Sequence, residues 1–357
     1  MSAFRATALR SLSGRSIATP RLARAHSSRS EYFLRPLTET AAKPTYEYKF
    51  LAQPATVSVL SYPFSGGQPR AGVDKGPDHL VQAGLLNQLQ SLGWHVEHNE
   101  GAVDTLLSTV KSDADIGKMK QPRAVSTVTK QLASDVADVA EGGKLPLTLG
   151  GDHSLAVGTV AGTKRKFPNA ALVWVDAHAD INTPLTTDSG NLHGCPVSFL
   201  LGLEGTDVAP FNEWLKPVLK PEDLVYIGLR DIDNGEKKIL KEHGIKVFTM
   251  HDVDKHGIGK VMDLALDHIG RDRPIHLSYD VDALDPTITP STGTPVRGGL
   301  TFREGHYIAE AIAETGNLVA LDVVEVNPSL GDDAASVAQT VAIGCSLSRA
   351  ALGETLL

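Results

Sequence analysis

A chain of 357 residues, 41% of them hydrophobic, can bury a substantial core within one large domain. No apolar run approaches the roughly 18 residues that a membrane-spanning helix requires, so no membrane span is expected. The formal net charge is −8, and the only two cysteines, Cys195 and Cys345, leave no disulfide framework.

The charge is uneven along the chain. Residues 1–30 hold six arginines (Arg5, Arg10, Arg15, Arg21, Arg24 and Arg29), no lysine and no acid, in a background of serine and alanine. Phe4, Ala8 and Leu12 recur at every fourth position, which gives a short helix one apolar face with arginines beside it. This is the make-up of a mitochondrial transit peptide and predicts import into the matrix; a plain basic tail would leave the protein cytoplasmic. Without this arm, 28 basic residues face 42 acidic ones, a formal charge of −14, and a body that acidic argues against nucleic acid as a partner. Pro36, Pro44 and Pro54 mark residues 31–55 as a connecting segment, and residues 56–357 read as a single domain.

Within that domain the runs VSVLSYPF, a weaker WHVEH, LPLTLGG, ALVWVDAH, LVYIGLRD, IKVFTM, PIHLSYDVD and LVALDVVEVNP read as strands. Amphipathic stretches such as DHLVQAGLLNQLQSLG and RAVSTVTKQLASDVADVAEGGK lie between them. The alternation predicts a three-layer α/β fold: a mostly parallel sheet of about eight strands with helices on both faces.

The polar clusters all fall at one end of these strands. TLGGDHS, WVDAHAD, GLRDID, SYDVDALDP and VVEVNP each occupy a carboxyl end, where open α/β sheets bind ligands. Asp176, His178 and Asp180 alternate, so their side chains share one side of an extended chain, and Asp280 and Asp282 repeat the spacing. His153 follows Gly150, Gly151 and Asp152 in a turn that leads into a helix. Each cluster alone has an ordinary explanation, because acids cap helices and end strands, and a lone histidine is more often a hydrogen-bonded core residue. Together they do not. Four carboxylates cannot be neutralised by two imidazoles, and an uncompensated buried carboxylate costs several kcal/mol. Divalent cations resolve the imbalance. A zinc site takes about four ligands and favours Cys and His, whereas six ligands rich in aspartate suit two harder ions. The two imidazoles favour manganese over magnesium. Two such ions about 3.5–4 Å apart would hold a hydroxide between them, since coordination lowers the pKa of water toward 7. The residues alone therefore point to a dinuclear metallohydrolase, with a purely architectural ion site as the plainer reading. Cys195, which follows His193 and Gly194, reads as a small packed residue, because no base is suggested beside it.

GGDHS, DAHADINTP, SGNLHG, GLRDID, SYDVDALDP and EVNPSL, in this order and at these separations, resemble the ureohydrolases, and most closely the arginase family, from about Val57 to Ala351. The resemblance implies hydrolysis of L-arginine to L-ornithine and urea by a hydroxide that bridges two Mn2+ ions per subunit. One manganese would take His153, Asp176, Asp180 and Asp280; the other would take Asp176, His178, Asp280 and Asp282. Asp180 is also placed with His193 and Glu325 among the catalytic residues. His193 matches the family's acid or proton shuttle, a task that suits an imidazole, and Glu325 matches the carboxylate that faces the guanidinium. Asn182, Ser189 and Asp233 match positions that hold the substrate's α-carboxylate and α-amino groups. Thr187, Asn191 and Glu236 match a second polar layer around it. The implied assembly is a homotrimer, although the chain lacks the longer tail that some relatives use between subunits.

One departure stands out. Asp188 in LTTDSGN replaces a threonine common in animal members, and its side chain is expected to point outward. Ser65 to Pro77, SGGQPRAGVDKGP, lacks the spacing of a phosphate-binding loop; a plain turn and a loop beside the site are equally good readings. Two other functions stay open at this point: an agmatinase or guanidinobutyrase, and a non-catalytic regulatory subunit with the same fold.

Overall fold

The β-branched and leucine-rich runs become strands in the computed structural model, which describes residues 43–355. The arginine-rich arm read as a transit peptide lies outside the described residues. In chain order the strands are β1 (Thr56–Tyr62), β2 (His95–Glu100), β3 (Leu145–Gly150), β4 (Ala171–Val175), β5 (Leu224–Leu229), β6 (Lys246–Thr249), β7 (Ile275–Asp280) and β8 (Leu318–Val324). They form one eight-stranded sheet in the order β2-β1-β3-β8-β7-β4-β5-β6. Every pairing is parallel, where the sequence predicts a mostly parallel sheet. Helical crossovers make that possible, because parallel neighbours cannot be joined by a tight turn.

Alternate residues of each strand feed two separate cores. In β4, Leu172 and Trp174 join one apolar cluster, while Val173 and Val175 join the other. The first is closed by helices Pro122–Glu141, Ala156–Lys166 and Pro196–Leu201, and the second by helices that include Ile258–Ile269, Phe302–Thr315 and Ala334–Ala351. This is the expected three-layer arrangement. The inner strands are buried throughout, as strands covered on both faces must be. Edge strand β2 is half-exposed and carries His95, Glu97, His98 and Glu100, which is why its apolar signal is weak.

Two local details differ from the sequence pattern. DHLVQAGLLNQLQSLG is split into helices Gly76–Gln82 and Leu85–Ser91, because Gly84 takes a left-handed φ of 88° that ends the first. In the stretch read as a connection, Tyr48 and Leu51 are buried in the core, with the Tyr48 ring edge-on to Trp94 at 4.9 Å. Both cysteines are buried and free. Burial raises the Cys195 thiol well above its ordinary pKa, as a packed residue requires and a nucleophile does not.

Helix Ala156–Lys166, which follows the first candidate ligand, packs closely on helix Pro122–Glu141. A Cβ on Gly158 would lie 2.5 Å from the Thr129 carbonyl oxygen. Gly158→Ala is therefore expected to destabilise the fold by about 1–3 kcal/mol, read as a lower denaturant midpoint at unchanged slope.

Candidate metal centre

The sheet order brings the five polar clusters together. They end β3, β4, β5, β7 and β8, which are the five contiguous strands β3-β8-β7-β4-β5. Register sets their height: Val175 lies opposite Tyr279 and Asp280 opposite Val324. Asp176, Asp280 and Glu325 therefore leave the sheet within about one residue of the same level.

After β3 the chain turns sharply at Gly151, where a Cβ would sit 1.7 Å from the Phe64 carbonyl oxygen. Asp152 then accepts the backbone N–H of Ser154 at 3.0 Å and of Gly67 at 2.8 Å. His153 is fully buried, and its ring stacks on Trp174 at 4.0 Å with an interplanar angle of 11°. Its Nε2 lies 2.9 Å from Ser278 Oγ. Its Nδ1 faces three carboxylates: Asp176 Oδ2 at 3.1 Å, Asp280 Oδ2 at 3.3 Å and Asp180 Oδ2 at 3.4 Å.

Asp176 divides its two oxygens. Oδ2 faces His153 and accepts the Trp174 indole N–H at 2.9 Å. Oδ1 accepts the His178 backbone N–H at 2.7 Å and lies 3.3 Å from His178 Nδ1. Asp282 Oδ2 stands 3.2 Å from that same nitrogen and accepts the Thr294 hydroxyl at 2.8 Å. Two groups of ligand atoms result, His153–Asp176–Asp180 and Asp176–His178–Asp282, each within 4.8 Å, and Asp176 belongs to both. Asp280 adjoins the first group, while its Oδ1 accepts the Asp282 backbone N–H at 2.7 Å.

The electrostatics match that crowding. Burial, and then the neighbouring Asp176, push Asp180 well above the usual carboxylate range, and burial with Asp282 does the same to Asp280. Burial raises Asp282 as well, against the pull of His178. Asp176 alone moves down, because hydrogen bonds from His153 and His178 outweigh its burial. Burial would lower His178, but Asp282 and Asp176 overcome it and raise it strongly. Two imidazoles do not balance four carboxylates here, and oxygen-rich donors around paired imidazoles fit divalent cations.

Beside this cluster, His193 Nδ1 lies 3.4 Å from Glu325 Oε1, and its backbone N–H donates to the Gly67 carbonyl at 2.9 Å. Burial would lower the His193 pKa, but the hydrogen bond and charge of Glu325 raise it. Glu325 is buried and its Oε1 accepts the His153 backbone N–H at 2.9 Å. Asp180 and Glu325 hold φ values of 48° and 64°, two of the three non-glycine residues with positive φ among those described. Such backbone costs on the order of 1–3 kcal/mol and persists where the surroundings enforce it.

All six residues that the resemblance assigns to substrate, namely Asn182, Thr187, Ser189, Asn191, Asp233 and Glu236, line one cleft with His178, Asp180, His193 and Asp280. Asn182 Nδ2 donates to Asp233 Oδ2 at 2.9 Å. Glu236 accepts the backbone N–H of Ile181 at 3.1 Å and of Asp233 at 3.0 Å, and burial pushes its pKa up to about 7. Thr187 and Ser189 accept the Gly190 and Asn191 N–H groups at 3.0 and 3.2 Å. Asp188 is exposed, as expected, and does not line the cleft. The loop after β1 adjoins the site, since Gly67 contacts both Asp152 and His193.

The sequence reading passed over Trp174, Ser278, Thr294 and Asp231. Asp231 Oδ2 lies 4.0 Å from His178 Nε2. Trp174 and Ser278 each precede a candidate ligand by two residues, so the period of the strand could have marked them. Arg230 was also missed: its guanidinium donates to the carbonyls of Asp282, Ala283 and Leu284 at 2.6, 2.9 and 3.2 Å, fixing the turn that carries Asp282.

Residues 55–353 match the arginase family. An arginase from Glaciozyma antarctica is 63% identical over 315 residues, covering 86% of this chain and 90% of that protein. The crystal structure of an arginase from Bacillus subtilis is similar with a TM-score of 0.74 at 38% identity, covering 85% of this chain and 100% of that one. An arginase from Entamoeba histolytica, solved in complex with L-ornithine, gives a TM-score of 0.75 at 29% identity, covering 84% and 99%. This chain belongs to the arginase family and is a hydrolase.

Proposed function

We propose that the chain hydrolyses L-arginine to L-ornithine and urea at a site that holds two manganese ions. The observation that carries the metal reading is Asp176, which presents one oxygen to the His153 group and the other to the His178 group. His153, Asp176, Asp180 and Asp280 would hold one ion, and Asp176, His178, Asp280 and Asp282 the other. When bound, such a pair supplies a nucleophilic hydroxide at neutral pH by lowering the pKa of water from about 15.7 toward 7.

The chain's own residues do the rest. An acidic cleft receives a cationic guanidinium, and Glu325 offers it a planar, charge-assisted partner. That carboxylate is kept in place by the His153 amide, so the guanidinium partner and the first metal ligand are fixed by one hydrogen bond. His193, whose protonated form Glu325 favours, can give a proton to the leaving amine. At the outer end, Asn182, Ser189 and Asp233 offer donors and an acceptor to an α-carboxylate and α-ammonium, with Thr187, Asn191 and Glu236 around them. The product L-ornithine is the ligand of the Entamoeba histolytica relative.

Urea release from L-arginine, agmatine and guanidinobutyrate tests the substrate assignment. Arginine is expected to be strongly preferred, because only it has both amino-acid groups. Faster turnover of agmatine would overturn the assignment, and bound manganese without urea from any guanidine would favour a non-catalytic role. A matrix location and a homotrimeric assembly complete the proposal. The first is supported by the acid-free, arginine-rich residues 1–30 and the second by the family resemblance.

A further inference from the structure

Beneath His153 the interior holds a polar cluster that the hydrolytic reaction does not use. Asp322 in β8 is 1% exposed, and its Oδ2 gathers three contacts: the Thr159 hydroxyl at 2.6 Å, His276 Nε2 at 2.8 Å and the Ser278 hydroxyl at 3.2 Å. His276 is itself held at Nδ1 by Thr163 Oγ1 at 2.9 Å. Register places Asp322 opposite Ser278, and Ser278 opposite Trp174. The cluster therefore bridges β8 and β7, beside Trp174 of β4, and reaches His153 at Nε2.

The direction of the hydrogen bonds follows from proton count. A hydroxyl has one proton, and Ser278 donates its own to Asp322. At His153 Nε2, 2.9 Å away, the Ser278 oxygen can then only accept. His153 therefore donates from Nε2, and Nδ1 is the nitrogen turned to Asp176, Asp180 and Asp280: without a cation it donates a second proton to Asp176, and a cation would take that proton's place on the lone pair. An Asp322 that were free to turn would let Ser278 reverse and donate to Nε2, which would place the proton on Nδ1.

We propose that Asp322, seated by His276 and Thr159, is a positioning residue for the metal centre, acting through Ser278 to hold His153 with Nδ1 available to a cation. The proposal rests on the reading of His153 as a metal ligand. Outer partners of this kind fix a ligand's tautomer and ring orientation, and their loss commonly lowers metal affinity roughly 10- to 100-fold.

Titration of metal-free protein with Mn2+ tests it, followed by calorimetry and by electron paramagnetic resonance of the bound ion. Asp322→Leu, which leaves Ser278 without its acceptor, is expected to weaken one Mn2+ site about tenfold or more, while the site built on His178 and Asp282 keeps its affinity; Asp322→Asn, whose amide oxygen can still accept, should lose less. Ser278→Ala should match Asp322→Leu, and the double variant should be no weaker than the weaker single, because both act along one path. Thr159→Val, which removes one donor without changing side-chain shape, should give a smaller loss in the same site and covers the case in which Asp322→Leu fails to fold. Wild-type affinity in Asp322→Leu or, should it not fold, in Thr159→Val would overturn the proposal. Equal weakening of both sites, or a full Asp322→Leu effect persisting in Ser278→Ala, would reduce Asp322 to a structural residue and overturn it too. Failure of the wild-type protein to bind Mn2+ would instead remove the underlying reading of His153.

Discussion

Asp176→Ala protein is expected to bind neither manganese ion tightly and to release no measurable urea. Asp176 belongs to both groups of ligand atoms, so its loss opens both at once. The variant should still fold. In metal-free protein the substitution removes one of four crowded carboxylates, which offsets the loss of the acceptor for the Trp174 indole N–H and the His178 backbone N–H. Each unpaired donor costs about 1–3 kcal/mol. The two states separate in a thermal melt. Wild-type protein should gain about 2.7 kcal/mol of stability at a hundredfold excess of Mn2+ over its dissociation constant, and Asp176→Ala should gain almost none. Retention of two ions by a folded Asp176→Ala protein would show that the shared carboxylate is not a ligand.

His193→Ala should separate chemistry from metal binding. Its ring pairs with Glu325 and makes no hydrogen bond or ion pair with any of the six candidate ligands, so both ions should remain bound. Turnover should fall by roughly 10²- to 10⁴-fold, the usual contribution of a positioned general acid. Because the lost function is protonation of a leaving amine, an arginine analogue with a thiol in that place should be far less sensitive. Equal slowing of both substrates would point to altered binding rather than a lost proton donor. Normal turnover on arginine would remove His193 from the reaction.

The candidate ligands were legible in the sequence because their signal is local. Asp176, His178 and Asp180 alternate along an extended chain, and so do Asp280 and Asp282, with the unusual charge balance that follows. The central strands were legible for a related reason: buried on both faces, they read as unbroken apolar runs. Edge strand β2 read weakly because half of it meets solvent. Prolines suggested a loose connection up to residue 55, yet Tyr48 and Leu51 in that stretch are buried in the core, a contact no local pattern encodes.

What sequence could not supply is adjacency between distant strands. Ser278 meets His153 only because β7 lies between β8 and β4, and Asp322 meets Ser278 only through the β7–β8 register. The role of Glu236 is similar. It was placed in a polar layer by resemblance, but its carboxylate is occupied by two backbone amides that join the start of the substrate loop to helix Asn234–Glu242. Lys118 carries no local signal either, though its ammonium caps the carbonyls of Leu185 and Thr187 at 3.2 and 2.8 Å and braces that loop from outside. Such contacts join segments dozens of residues apart, and their partners are set by topology rather than by spacing.

The most direct test of the two-metal account is anomalous diffraction at the manganese edge from crystals grown with Mn2+. Two peaks per chain are expected, about 3.5–4 Å apart, with one Asp176 oxygen directed to each. A single peak, or two peaks that do not share Asp176, would contradict it.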